Sequence, residues 1–218
     1  MKLVAWISSA LAGLDGVFAP VPPAPVPAPR PVILVHGIYS CSGDMTRLAR
    51  HLQREGREVF ALDLAPADGK CGLDELAGQL DAFIDEKVPR GKFDLVGFSM
   101  GGLISRYYMQ RLGGVDRVDH FVTLAAPHNG TALAGINRLP GVLQMRRGSD
   151  FLRDLERDQD RLKRVKFTSF YTPLDLAIVP ARSSELSQAR NVRIWSLWHP
   201  GLILEKRSLR AVSMALAE

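Results

Sequence analysis

Ser99 stands between two glycines in GFSMG (residues 97–101), directly after the apolar run FDLVGF and directly before MGGLISRYYMQRL, a run of helical character. A surface serine needs no such flanks. A serine forced through a sharp strand-to-helix turn does, because a side chain at Gly97 or Gly101 would meet crowded backbone. Such a turn exposes the hydroxyl above a sheet, at the start of a helix whose first amides and dipole favour developing negative charge. The chemistry this suits is nucleophilic attack. A serine hydroxyl is a weak nucleophile, so it needs a base, and the base needs an orienting acid.

Five histidines compete for the base. His51 lies mid-helix in TRLARHLQ and reads as surface. His120 opens a strand and so faces the wrong end of the sheet. His36 follows the first strand, and its imidazole suits a structural role in holding that loop. His199, in WSLWHPGLI, follows the last strand and precedes a final helix, which suits a base carried on a loop end. His128, in AAPHNGT, is the rival. For the acid, Asp175 in FYTPLDLAIVP follows the fifth strand and lies between Ser99 and His199 in sequence. Asp150, Asp154, Asp158 and Asp160 belong to a charged helical run, and Asp63 precedes the serine, where it suits a pocket wall or a turn cap. Asp175 is the best of these, though spacing alone does not force the choice.

The elements that must position these residues alternate along the chain. Strands are expected at 31–37, 57–64, 93–98, 119–126, 165–172 and 192–198. Helices are expected at 44–56, at 73–88, from Met100, and at 205–216. Near-continuous apolar strands separated by helices are buried on both faces and run parallel. The expectation is one α/β domain over residues 31–218, with three layers around a mainly parallel sheet of about six strands. In such a sheet a site lies beyond the carboxyl ends of the strands. Those ends carry His36, Asp63, Ser99, His128, Asp175 and His199. An oxyanion formed by attack would need two backbone donors, for which the amides of Met100 and of Ile38, in the loop HGIY, are suited.

These segments resemble the α/β-hydrolase superfamily, and more narrowly the small bacterial lipases that keep a six-stranded core. PVILVHGIYS resembles the oxyanion strand and loop, VGFSMGG the nucleophile elbow, and TLAAPHNGT the segment after the next strand. FYTPLDLAIVP resembles the acid loop and WHPGLI the histidine loop. The resemblance implies hydrolysis of carboxylic esters, often lipid esters, through an acyl-enzyme on Ser99, with His199 as base, Asp175 as its orienter and no cofactor. It also implies an apolar acyl pocket, for which Leu139, Val142, Leu143, Leu174, Ile178 and Leu202 are the candidates beside Ile38 and Met100. Residues 137–162 are long enough to cover the site or to flank it. The same triad serves short-chain esterases, thioesterases and acyltransferases, and a hydrolase-like domain can also act as a binding protein without turnover.

The composition narrows partners. With 28 Lys and Arg against 23 Asp and Glu, the 218-residue chain carries a net charge of +5. The cations are interspersed with acids, as in LRDLERDQDRLKRVK, and no aromatic-interleaved basic stripe suggests nucleic acid. The acids are dispersed and no metal cluster is evident. No obligate protein partner is implied. Residues 1–19 include a short apolar run, LVAWISSALAGL, of the length of a signal peptide or an N-terminal anchor. Residues 20–30 form a Pro-rich linker of polyproline character. Export or anchoring is therefore expected in preference to a cytoplasmic location, with contact to a lipid interface. In an oxidising compartment Cys41 and Cys71 can pair, closing a loop of about 30 residues for ~3–4 kcal/mol.

Overall fold

The computed structural model describes residues 29–218, so the expectations for residues 1–19 and for most of the linker lie outside the described residues. Six strands form one parallel sheet in the order β2-β1-β3-β4-β5-β6. They are β1 (Val32–Val35), β2 (Val59–Leu62), β3 (Phe93–Phe98), β4 (Val118–Leu124), β5 (Lys166–Tyr171) and β6 (Arg190–Arg193). The helices are α1 (Thr46–Arg54), α2 (Leu73–Lys87), α3 (Met100–Arg111), α4 (Pro140–Gln144), α5 (Asp150–Glu156), α6 (Gly201–Leu204) and α7 (Lys206–Ala215).

Side chains alternate across a strand, so each central strand feeds two cores. Ile33, Val35, Phe93, Leu95, Phe121 and Phe167 turn to one face, where α2 and α3 cover them. Val32, Leu34, Val96, Val122 and Phe170 turn to the other, under α1 and α7. This double burial explains the continuous apolar runs. In α2 the buried residues Leu73, Leu76, Ala77, Leu80 and Ile84 recur at spacings of three and four. Pro89 then bars further helix, and Val88 before it has already left the helical region, with φ −133° and ψ 66°.

One expected element differs. The last strand ends at Arg193 rather than reaching Trp198. Its residues are polar because it is an edge strand, and the apolar IWSLW leaves the sheet to build a loop. The final helix stands as expected, as α7, and the short α6 precedes it; Glu205 between them is extended, and its carboxylate accepts from Ser196 Oγ at 2.8 Å. Residues 137–162 divide: Asn137, Val142 and Met145 border the cavity beyond the carboxyl ends of the strands, while α5 lies against α3. Arg111 holds Asp154 and Asp158 at 2.8 Å each, and the buried Arg106 donates to the Leu155 carbonyl at 3.1 Å, so α5 is fastened to α3.

At the amino ends of the strands, Asp94 is fully buried against Arg57, Arg30 and His120. Burial opposes its charge, yet the hydrogen bonds from His120 and Arg57 hold its carboxyl below the usual range. The acids are thus less dispersed than the sequence suggests, because Asp94, Asp119 and His120 come together here. The two arginines occupy the carboxylate oxygens, so the cluster is a charge network unsuited to a metal cation. Among the described residues, no helix is long and apolar enough to cross a membrane.

Candidate active site

Ser99 occupies the turn between β3 and α3 with φ 53° and ψ −122°, a conformation rare for a residue with a side chain. The glycines around it permit the turn. A Cβ at Gly97 would lie 2.6 Å from Gly102 Cα, and one at Gly101 only 2.4 Å from the carbonyl oxygens of Val35 and His36. The Ser99 amide donates to the Leu124 carbonyl at 2.8 Å, which anchors the turn to β4. The Ser99 side chain borders an apolar cavity of about 650 Å³ beyond the carboxyl ends of the strands.

His199 borders the same cavity. Its Nδ1 lies 2.7 Å from Asp175 Oδ2, and the other carboxylate oxygen accepts from the amides of Ala177 and Ile178 at 2.8 and 2.9 Å. The buried carboxylate is therefore fixed from two sides. With Nδ1–H donating to it, the imidazole keeps Nε2 free to accept a proton. The Phe98 ring packs 4.8 Å from the imidazole, centroid to centroid. Among the described residues no hydrogen bond joins Ser99 to His199; such contacts commonly tighten only around bound substrate.

Two positioning residues were invisible in sequence. Thr172 Oγ1 donates to the Ser196 carbonyl at 2.6 Å, linking the acid loop to the histidine loop. Thr131 Oγ1 donates to the Ala177 carbonyl at 3.0 Å and accepts from the Val179 amide at 3.0 Å, linking the acid loop to the segment after β4. Nothing short of the tertiary pairing signals either threonine.

The loop after β1 turns against the serine, with the Cβ position of Gly37 3.1 Å from Ser99 Cβ. Tyr39 takes φ 55°, and its amide donates to the Ala67 carbonyl. Neither the Ile38 amide nor that of Met100, first residue of α3, is spent on another group among the described residues. His36 is fully buried; it accepts from the Leu64 amide at Nε2 (3.0 Å) and lies 2.9 Å from the Gly37 carbonyl through Nδ1. It thus ties this loop to the end of β2. Asp63 accepts twice from Ser42, at 2.6 and 2.8 Å, and these bonds lower its pKa. It caps a turn and does not face the cavity.

His128 lines a different, polar cavity with Arg106. Burial, reinforced by the Arg106 charge, keeps it neutral well below the usual histidine range. Its Nε2 lies 3.0 Å from Thr123 Oγ1. His51 is half-buried beside Glu55, and His120 belongs to the Asp94 network.

Of the expected pocket residues, Val142, Ile178 and Ile38 line the cavity. Leu139 packs into the core beneath α2 and α3, as does the Met100 side chain, and Leu202 is buried in the core on the other face. Leu143 turns to an outer groove beside Tyr107, and Leu174 is exposed. The apolar wall is built instead by Leu133, Ile136, Met145, Trp198, Ile203 and Leu204. Cys41 and Cys71 stand here as free thiols, Cys41 exposed and Cys71 donating to Glu75 Oε2 at 3.2 Å. Burial and then Glu75 push the Cys71 thiol up to about 11, away from thiolate chemistry.

An all-parallel six-stranded sheet with a serine in a strained β3–α3 turn defines an α/β hydrolase architecture. The family model of the alpha/beta hydrolase fold matches residues 30–169, and the chain belongs to that family. Among curated proteins it is similar to lysosomal thioesterase PPT2 of Rattus norvegicus, 34% identical over 121 residues, covering 50% of this chain and 39% of the relative. It is also similar to palmitoyl-protein thioesterase 3 of Dictyostelium discoideum, 28% identical over 114 residues, covering 48% and 38%. The chain thus spans about two fifths of the length of these relatives. Among solved structures, Bacillus licheniformis lipase BlEst2 in mature form superposes with a TM-score of 0.71 at 18% identity, covering 91% of this chain and 96% of that one. Aspergillus fumigatus lipase B gives 0.70 at 18% identity, covering 90% and 55%. At these identities the structures share the fold.

Proposed function

We propose that this α/β hydrolase is a serine acyl hydrolase that cleaves carboxylic esters of apolar acyl chains, lipid esters foremost. One observation carries the reading: Ser99 and a His199–Asp175 pair held at 2.7 Å border one apolar cavity of about 650 Å³. That volume is in the range of sites that bury most of a small ligand's surface. In this mechanism Ser99 Oγ attacks the acyl carbonyl while His199 Nε2 takes its proton. Asp175 holds the Nδ1–H and stabilises the imidazolium. The amides of Ile38 and Met100 receive the oxyanion. Collapse of the tetrahedral intermediate breaks the bond to the leaving group, which takes the proton from His199. Water, deprotonated by the same histidine, then releases the acid and restores Ser99.

A thioester in place of the oxygen ester is the second reading. The curated relatives named as thioesterases favour it, and the same four roles serve both bonds. The test is a panel of p-nitrophenyl esters from acetate to palmitate beside matched acyl thioesters, with Ser99→Ala as control. The expected result is turnover that rises with acyl length and is abolished by the substitution. A maximum at acetate would make the protein a short-chain esterase. No Ser99-dependent turnover on either series would overturn the reading and favour a binding role.

A further inference from the structure

Eleven large apolar side chains are exposed among the described residues, and only Leu112 and Met214 lie away from the carboxyl edge of the sheet. The other nine sit on the loops that follow β1, β4, β5 and β6. Ile136, Leu176 and Leu197 are 87, 83 and 82% exposed, which leaves nearly the whole of each side chain in water. Ile136, Leu133 and Trp198 also line the cavity, so the exposed apolar surface runs into the site without a break. Leu176 and Leu197 adjoin Trp198 and His199 in a neighbouring hollow.

We infer that this rim docks the protein onto an anionic lipid bilayer, with Leu176, Leu197 and Ile136 inserted among the acyl chains and the cavity mouth facing the membrane. The inference rests on the acyl-chain reading of the cavity. A protein seated on the rim, a second copy included, would close the mouth through which substrate must pass. A bilayer covers the same side chains and is itself the reservoir of acyl chains. Half-exposed indoles at positions 195 and 198 match the interfacial depth, where one part of the ring is apolar and the other wet. Cations stand close by in sequence. Arg193 stacks on the Trp195 ring at 5.2 Å, Arg207 donates to the Trp195 carbonyl at 2.9 Å, and Arg138 and Lys206 are exposed. Such residues complement anionic headgroups.

The experiment uses the full-length Ser99→Ala chain, so that no turnover is involved. It is sedimented with phosphatidylcholine vesicles, with and without phosphatidylglycerol, and its association state is followed by analytical ultracentrifugation in their absence. The expected result is co-sedimentation several-fold stronger on the anionic vesicles. Adding Leu176→Ser and Leu197→Ser should lower partitioning about tenfold or more while the thermal midpoint stays in place, because exposed side chains contribute little to folding. Absence of vesicle binding would overturn the inference. So would binding that survives both substitutions, which would place the contact in another segment. A concentration-dependent dimer abolished by the substitutions would assign the rim to a second copy. Vesicle binding without ester or thioester turnover would sink the proposed function and leave the docking surface standing; the reverse pattern would do the opposite.

Discussion

Asp175 has no contact with the cavity surface, yet it fixes the state of the residue that does. Its two oxygens are divided between His199 Nδ1 and the amides of Ala177 and Ile178. In the proposed mechanism, Asp175→Asn keeps the volume but offers an amide where the imidazole needs an acceptor, favouring the wrong tautomer. The expected loss in kcat is about 10⁴-fold, with KM for a dissolved ester little changed, as steady-state kinetics would measure. A loss below tenfold would remove Asp175 from the mechanism. His128 cannot substitute as base, since it borders the other cavity and its burial beside Arg106 disfavours the protonated form.

At the amino ends of the strands, one buried carboxylate gathers the charge. Asp94 opens β3 and receives Arg57, whose guanidinium also donates to the Leu216 carbonyl and so ties the C-terminal helix to the sheet. Asp94→Ala leaves two arginines and His120 without their shared acceptor. The expected cost is about 3–5 kcal/mol, read as a lower midpoint in urea or heat. The pH dependence has a definite sign. The folded pKa of Asp94 lies below its ordinary value of 3.8, so its stabilisation is present above that pH and is lost as the pH falls through the folded value. Acid unfolding of Asp94→Ala should therefore be shallower below about pH 4 than that of the parent. Equal slopes in the two proteins would show that Asp94 is not the group responsible.

At the scale of the molecule, the described fold is complete with both cysteines as free thiols. Cys41 is exposed on the turn before α1, and Cys71 faces Glu75 at the start of α2. Stability comes from the two cores either side of the sheet, joined to the flanking α4–α5 segment by Arg106 and Arg111. A reductant should leave the thermal midpoint unchanged, and substituting both cysteines by serine should change stability by no more than about 0.5 kcal/mol at the exposed Cys41 and slightly more at Cys71. A midpoint that falls by several degrees on reduction would reveal a disulfide and reverse this account.

Sequence by itself determined the parallel sheet, because strands buried on both faces must be apolar throughout and helices must alternate with them. It also determined the serine turn, because Gly97 and Gly101 answer a steric demand made within a few residues. Asp175 and His199 were legible as the residues that follow β5 and β6, but their 2.7 Å contact depends on Thr172, Thr131 and Ser196 drawing three separate loops together. The apolar cavity wall was the least legible part. An apolar residue in a loop carries the same signal whether it fills a core, as Leu202 does, or lines a cavity, as Ile203 does one position later. The direction of each side chain is set by how the loops pack on one another, and that was decided only in three dimensions.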